Sequence, residues 1–76
     1  MIIKIVRNEN GRVHAKLRSE KDLRKMTDIL LVPTSEYAGF YFTEKDEGKE
    51  FEVEGNILSR GQFKDRLNIK YVVGQR

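Results

Sequence analysis

The chain has no cysteine and no tryptophan, and only one proline and one histidine. Without cysteine it can form neither a disulfide nor a thiolate metal site; this composition suits a reducing compartment, and a cytoplasmic protein is expected. Nowhere do about 18 apolar residues follow one another, so no membrane span is expected. The first residues, Met1-Ile2-Ile3-Lys4-Ile5-Val6, form too short and too charged a run for a signal peptide and read as a strand. A lone histidine, His14, rules out any two-histidine mechanism, and an RNA-cleaving role for it finds little support beside an ordinary exposed strand position. Gly55, Gly61 and Gly74 are scattered and fit neither a P-loop nor a dinucleotide fingerprint. Ser19, Ser35 and Ser59 read as caps or turn residues rather than nucleophiles. The carboxylates lack the spacing of a calcium loop. The expectation is a protein that is not an enzyme and that uses no cofactor and no metal.

What the chain does have is charge, and the charge is blocked. The net value of +3 conceals three segments. Residues 1–26 carry eight Lys/Arg against three Asp/Glu, residues 27–58 two against eight, and residues 59–76 five against one. The segment charges are therefore +5, −6 and +4. Such asymmetry marks either an electrostatic binding face or segments that neutralise each other on folding. With 76 residues the chain makes one domain, 1–76, near the lower size limit for an unassisted core. Four Phe, three Tyr and periodic runs of Ile, Leu and Val set it apart from a disordered composition.

Period-two alternation predicts a first hairpin, Ile2–Asn8 against Arg12–Arg18. A two-residue turn at Asn10-Gly11 would pair Ile5 with Lys16 and mix the faces. A three-residue loop pairs Ile3 with Leu17 and Ile5 with Ala15 and keeps one face apolar, so the buried face favours that register. The outer face then holds Lys4, Val6, Arg12, His14, Lys16 and Arg18. Ser19 as N-cap, with Leu23, Met26 and Leu30 at helical spacing, predicts a helix that Pro33 stops. A second hairpin is expected from Phe40–Thr43 and Glu50–Glu54, aligning Phe42 with Phe51 and Phe40 with Val53. Ser59 to Leu67 suggests a short helix, Ile69–Val73 a last strand with Ile69, Tyr71 and Val73 on one side, and Gly74-Gln75-Arg76 a frayed tail. The fold class expected is α+β, β-β-α-β-β-(α)-β: a mixed sheet packed on one main helix, for which a β-grasp-like arrangement is one solution.

Two charged surfaces are the functional leads. In Arg12-Val13-His14-Ala15-Lys16-Leu17-Arg18 the alternation places three permanent cations and one titratable ring on one strand face. Regularly spaced cations suit the phosphates of a nucleic acid, RNA or DNA, and the expected contacts are Lys4, Arg12, His14, Lys16 and Arg18, continued by Lys21, Arg24 and Lys25. Lys64, Arg66 and Lys70 extend the basic set; Tyr41, on the outer face, is a stacking candidate, whereas Tyr71 reads as core. Against this stands a solvated face, or one neutralised by Glu50, Glu52 and Glu54 alongside. The second lead is the acidic stretch Glu44, Asp46, Glu47, Glu50, Glu52 and Glu54, which suits a larger protein with a basic surface and the role of a regulator or inhibitor. A third class is a structural subunit whose opposite charge blocks dock on neighbouring copies.

Overall fold

The computed structural model describes residues 1–9, 12–22, 24–32, 42–61 and 63–76. Five strands close into a barrel: β1 (Ile2–Glu9), β2 (Arg12–Arg18), β3 (Met26–Val32), β4 (Glu50–Arg60) and β5 (Phe63–Gln75). A 3-10 turn, Glu44–Asp46, precedes β4. The order around the barrel is β1-β2-β3-β5-β4, with β4 returning to β1. All neighbours are antiparallel except β3 and β5, which run parallel. A fourth strand that comes back beside the first after three consecutive strands is a Greek key. β5 then fills the space between β3 and β4.

Alternation builds the core. Each strand sends inward two apolar residues, two positions apart: Ile3 and Ile5, Val13 and Ala15, Ile29 and Leu31, Phe51 and Val53, Leu67 and Ile69. Leu17, Phe42, Val72 and Met1 pack against this cluster from its margins.

The barrel overturns the α+β expectation; the described residues contain no α-helix. The expected main helix fails because residues 26–32 also carry a period-two pattern. As a strand, β3 buries Ile29 and Leu31 and is hydrogen-bonded on both sides, to β2 and β5. The helical stripe would instead have buried Met26 and Leu30, which here are only half-buried. Ser19 does cap, but it caps a loop. Its Oγ accepts from the N–H groups of Lys21 and Asp22 at 3.2 and 3.3 Å, and its own N–H donates to the Lys25 carbonyl at 2.9 Å. The expected helix from Ser59 to Leu67 is the β4–β5 turn: Ser59 and Arg60 end β4, Gly61 adopts φ 66°, and β5 begins at Phe63. Only glycine takes that left-handed conformation without strain.

Of the expected strand Phe40–Thr43, residues 40 and 41 lie outside the described residues, and so does the pairing of Phe40 with Val53. Phe42 and Thr43 lie in no strand. Thr43 caps the 3-10 turn with Asp46 in a reciprocal box, its N–H donating to Asp46 Oδ2 at 2.9 Å. Phe42 still meets Phe51, edge to face, with ring centroids 5.0 Å apart. The expected frayed tail is bound: Gln75 pairs with Phe51, Gly74 with Glu52, and the Arg76 N–H donates to the Glu50 carbonyl at 2.8 Å.

The first hairpin has the expected register in its body, with Ile3 opposite Leu17 and Ile5 opposite Ala15. Near the turn the register differs by one: Arg7 faces His14, Asn8 faces Val13 and Glu9 faces Arg12. A bulge at Val6 absorbs the difference, so both the buried face and a two-residue connection are satisfied. The connecting residues 10–11 lie outside the described residues. On β4, Gly55 passes so close to β5 that an added Cβ would lie 2.2 Å from the Asn68 carbonyl oxygen. The register of β4 and β5 shifts at this point, letting the strands bend around the barrel.

Candidate functional site

The outer face of β2 carries the cations that the alternation predicted. Val13 and Ala15 are buried, which turns Arg12, His14, Lys16 and Arg18 outward. Successive outward residues are spaced about 6.6–7 Å apart along the strand. Lys16 stands directly opposite Lys4 on β1, and Lys4 stands opposite Glu50 on β4. The acidic strand therefore lies alongside the basic hairpin, separated from β2 by β1. It neutralises one end of the face: Arg18 Nη2 is ion-paired with Glu50 Oε1, and both side chains are about one-third exposed (32% and 33%). Arg18 is thus committed to the fold.

At the other end of β2 the face gains residues from far along the chain. Lys64 of β5 places its ammonium 3.4 Å from His14 Nδ1. In the ladder, His14 faces Leu30 of β3, and Leu30 faces Arg66 of β5. The basic surface therefore continues across three strands rather than running down one. His14 is not an open strand residue: its side chain is 17% exposed, with Nε2 3.6 Å from Glu9 Oε2. Glu9 also pairs with Arg7 Nε at 3.0 Å. Among the described residues no carboxylate pairs with Lys4, Arg12, Lys16 or Lys64. Asp28 lies beside Lys16 in the β2–β3 ladder without forming an ion pair with it.

Lys21, Arg24 and Lys25 are exposed as expected, but they sit on the loop that leaves β2 at Arg18 rather than on a helix. That loop is at the opposite end of β2 from Lys64. Tyr41 lies outside the described residues. Tyr71 and Val73, expected in the core with Ile69, are 55% and 52% exposed. The β4–β5 register shift between Glu54 and Gly55 is the cause, because it turns Tyr71 outward opposite Glu54 while Ile69 stays buried. Tyr71 therefore belongs to the β4–β5 surface, and neither of those strands borders β2.

The acidic set is divided. Glu44, Asp46 and Glu47 lie on and beside the 3-10 turn, and Glu50, Glu52 and Glu54 on β4. Asp46 Oδ1 is 3.8 Å from Lys49 Nζ, Glu47 Oε1 accepts from the Asn8 N–H at 3.3 Å, and Glu50 holds Arg18. Half of the six carboxylates thus serve internal contacts.

No helix among the described residues is long and apolar enough to cross a membrane, and these residues contain no group of three or more His, Asp or Glu placed to hold a metal. Compared with known proteins, the chain matches no family model, no curated protein and no solved structure.

Proposed function

We propose that this is a small non-enzymatic cytoplasmic protein that binds nucleic acid through the outer face of β2, extended across the barrel by Lys64 and Arg66 of β5. The observation that carries this reading is the convergence of cations from distant parts of the chain without matching carboxylates: Lys64 reaches to 3.4 Å from His14, and Arg12, Lys16 and Lys64 have no acidic partner among the described residues. Folding also sets Lys4 directly opposite Lys16 at an electrostatic cost, which a polyanion relieves. The barrel's architecture supports the same reading. Five-stranded Greek-key barrels of the OB type bind oligonucleotides and oligosaccharides on the face of strands 2 and 3 and on the loops that join strands 1–2 and 4–5. In this chain the basic residues occupy strand β2 and the start of β5, next to those two connections. The likeness is one of strand order and supports the placement of a site, not kinship.

Recognition would rest mainly on phosphates, whose contacts with Lys and Arg fix position without reading sequence. Lys4, Arg12, Lys16, Lys64 and Arg66 are the principal contacts, with His14 beside them. Arg18 drops out because Glu50 already holds it. The acidic surface is the weaker basis for a function, because three of its six carboxylates are already engaged within the fold.

The test is fluorescence anisotropy with labelled single-stranded RNA, single-stranded DNA and duplex DNA, comparing wild type with Arg12→Glu/Lys16→Glu. Both side chains are exposed, so the double variant is expected to keep its thermal midpoint within a few degrees, as surface substitutions away from special features do, while losing binding. A folded double variant that binds as tightly as wild type would place the site elsewhere.

A further inference from the structure

Among the described residues two carboxylates stand beside β2 on the basic face: Asp28, opposite Lys16, forms no ion pair with it, whereas Glu9 is paired, and its position is informative. Glu9 ends β1 next to the hairpin connection and faces Arg12 across the ladder. Its Oε1 takes Arg7 Nε at 3.0 Å and its Oε2 lies 3.6 Å from His14 Nε2. The ring's other nitrogen, Nδ1, is 3.4 Å from Lys64 Nζ. Arg7, His14 and Lys64 come from three strands and thus form a cluster of nitrogen donors with a carboxylate seated among them. We infer that this cluster is an anion subsite and that Glu9 is its built-in competitor, which a phosphodiester of the bound nucleic acid displaces.

The geometry suits displacement better than permanent pairing. Glu9 is 58% exposed and Arg7 51%, so both can leave the pair into water at little cost. Arg18–Glu50 offers the contrast, because both partners are two-thirds buried and the buried Arg18 Nε lacks a hydrogen-bond partner among the described residues. That pair is structural. The Glu9 pair sits at the end of the hairpin where Glu9 faces Arg12, which has no acidic partner among the described residues. A phosphate there would meet Arg7 and His14 in place of the carboxylate, and Lys64 from the far side of the imidazole. Directly opposite His14 on β3 stands Leu30, which is apolar.

This inference rests on the nucleic-acid reading, and its test separates the two. Glu9→Gln removes the competing charge. Glu54→Gln removes an equal charge from β4, where Glu54 is exposed and in no ion pair among the described residues. With labelled oligo-dT at about 50 mM salt, where counterion effects are large, Glu9→Gln is expected to tighten binding roughly two- to fivefold, the range that an exposed ion pair of up to about 1 kcal/mol corresponds to. Glu54→Gln is expected to change it by less than that. Lys64→Met is expected to cost more affinity in the Glu9→Gln background than in wild type, because the freed subsite then makes fuller use of Lys64. Equal effects of the two Glu→Gln changes, or weaker binding by Glu9→Gln, would overturn the competitor role while leaving the face intact. Failure of wild type to bind any oligonucleotide would remove the nucleic-acid reading and this inference with it.

Discussion

Gly55 is where a single side chain has the least room. A methyl group there would meet the Asn68 carbonyl at 2.2 Å, and the obstacle is backbone, which cannot rotate away. Gly55→Ala is therefore expected to lower stability by about 1–3 kcal/mol, the usual cost of overpacking, measured by urea unfolding. Gly74, where an added Cβ would meet nothing within 4 Å, is the control and should tolerate alanine far better. Arg18 and Glu50 make a second residue-scale case. Truncating either leaves the other partly buried and unpaired, so Arg18→Ala is expected to cost about 1 kcal/mol or more, above the range of a fully exposed pair. The outward row Arg12, His14, Lys16 and Arg18 was legible in the sequence because buried Val13 and Ala15 fix the strand's two faces. The commitment of Arg18 to Glu50 was not legible, since it depends on which strand lies beside β1.

At the scale of elements, the first hairpin was readable because its contacts are local and its apolar alternation admits one register. The bulge at Val6 reconciles that register with the two-residue connection, which leads to a test by deletion. Removing Val6 leaves Ile5 inward and Arg7 outward, with all other pairs of the hairpin unchanged. That variant is expected to fold, with cooperative thermal unfolding and native near-UV dichroism. Removing His14 from β2 instead moves either Arg12 into the buried position of Val13 or Lys16 into that of Ala15, whichever side of the gap shifts. That variant is expected to lose the cooperative transition. β3 and β5 were misread for a definable reason. Ser19, Leu23, Met26 and Leu30 make a complete helical signature, but the loop that Ser19 caps ends at Lys25 and a strand begins at Met26. Gly61, inside the second expected helix, is itself a turn signal, and a turn is what forms there. Besides their antiparallel partners β2 and β4, the two strands pair with each other in parallel, between segments more than 30 residues apart, which no local pattern reports.

For the whole molecule, barrel closure determines the candidate site. Parallel pairing of β3 with β5 carries Lys64 and Arg66 to the basic hairpin, and the return of β4 to β1 puts the acidic strand against its other flank. Of the three carboxylates expected to neutralise the face, Glu50 does so, at Arg18, and the other end of the face gains cations instead. Closure also binds both termini. The Met1 amino group donates to the Val53 carbonyl at 2.9 Å, and the Arg76 N–H to the Glu50 carbonyl at 2.8 Å. Removing residues 74–76 is therefore expected to lower the thermal midpoint, where a frayed tail would leave it unchanged. The central claim is that phosphates are held by a face assembled from β2 and β5. The most direct measurement is the salt dependence of oligonucleotide binding between about 50 and 200 mM, in wild type and in Lys64→Met. With three to four single-strand phosphates neutralised, log K is expected to fall against log salt with a slope of about −2 to −3, at roughly 0.7 per phosphate, and Lys64→Met to make it shallower by about that increment. No binding at low salt, or a slope that Lys64→Met leaves unchanged, would contradict it.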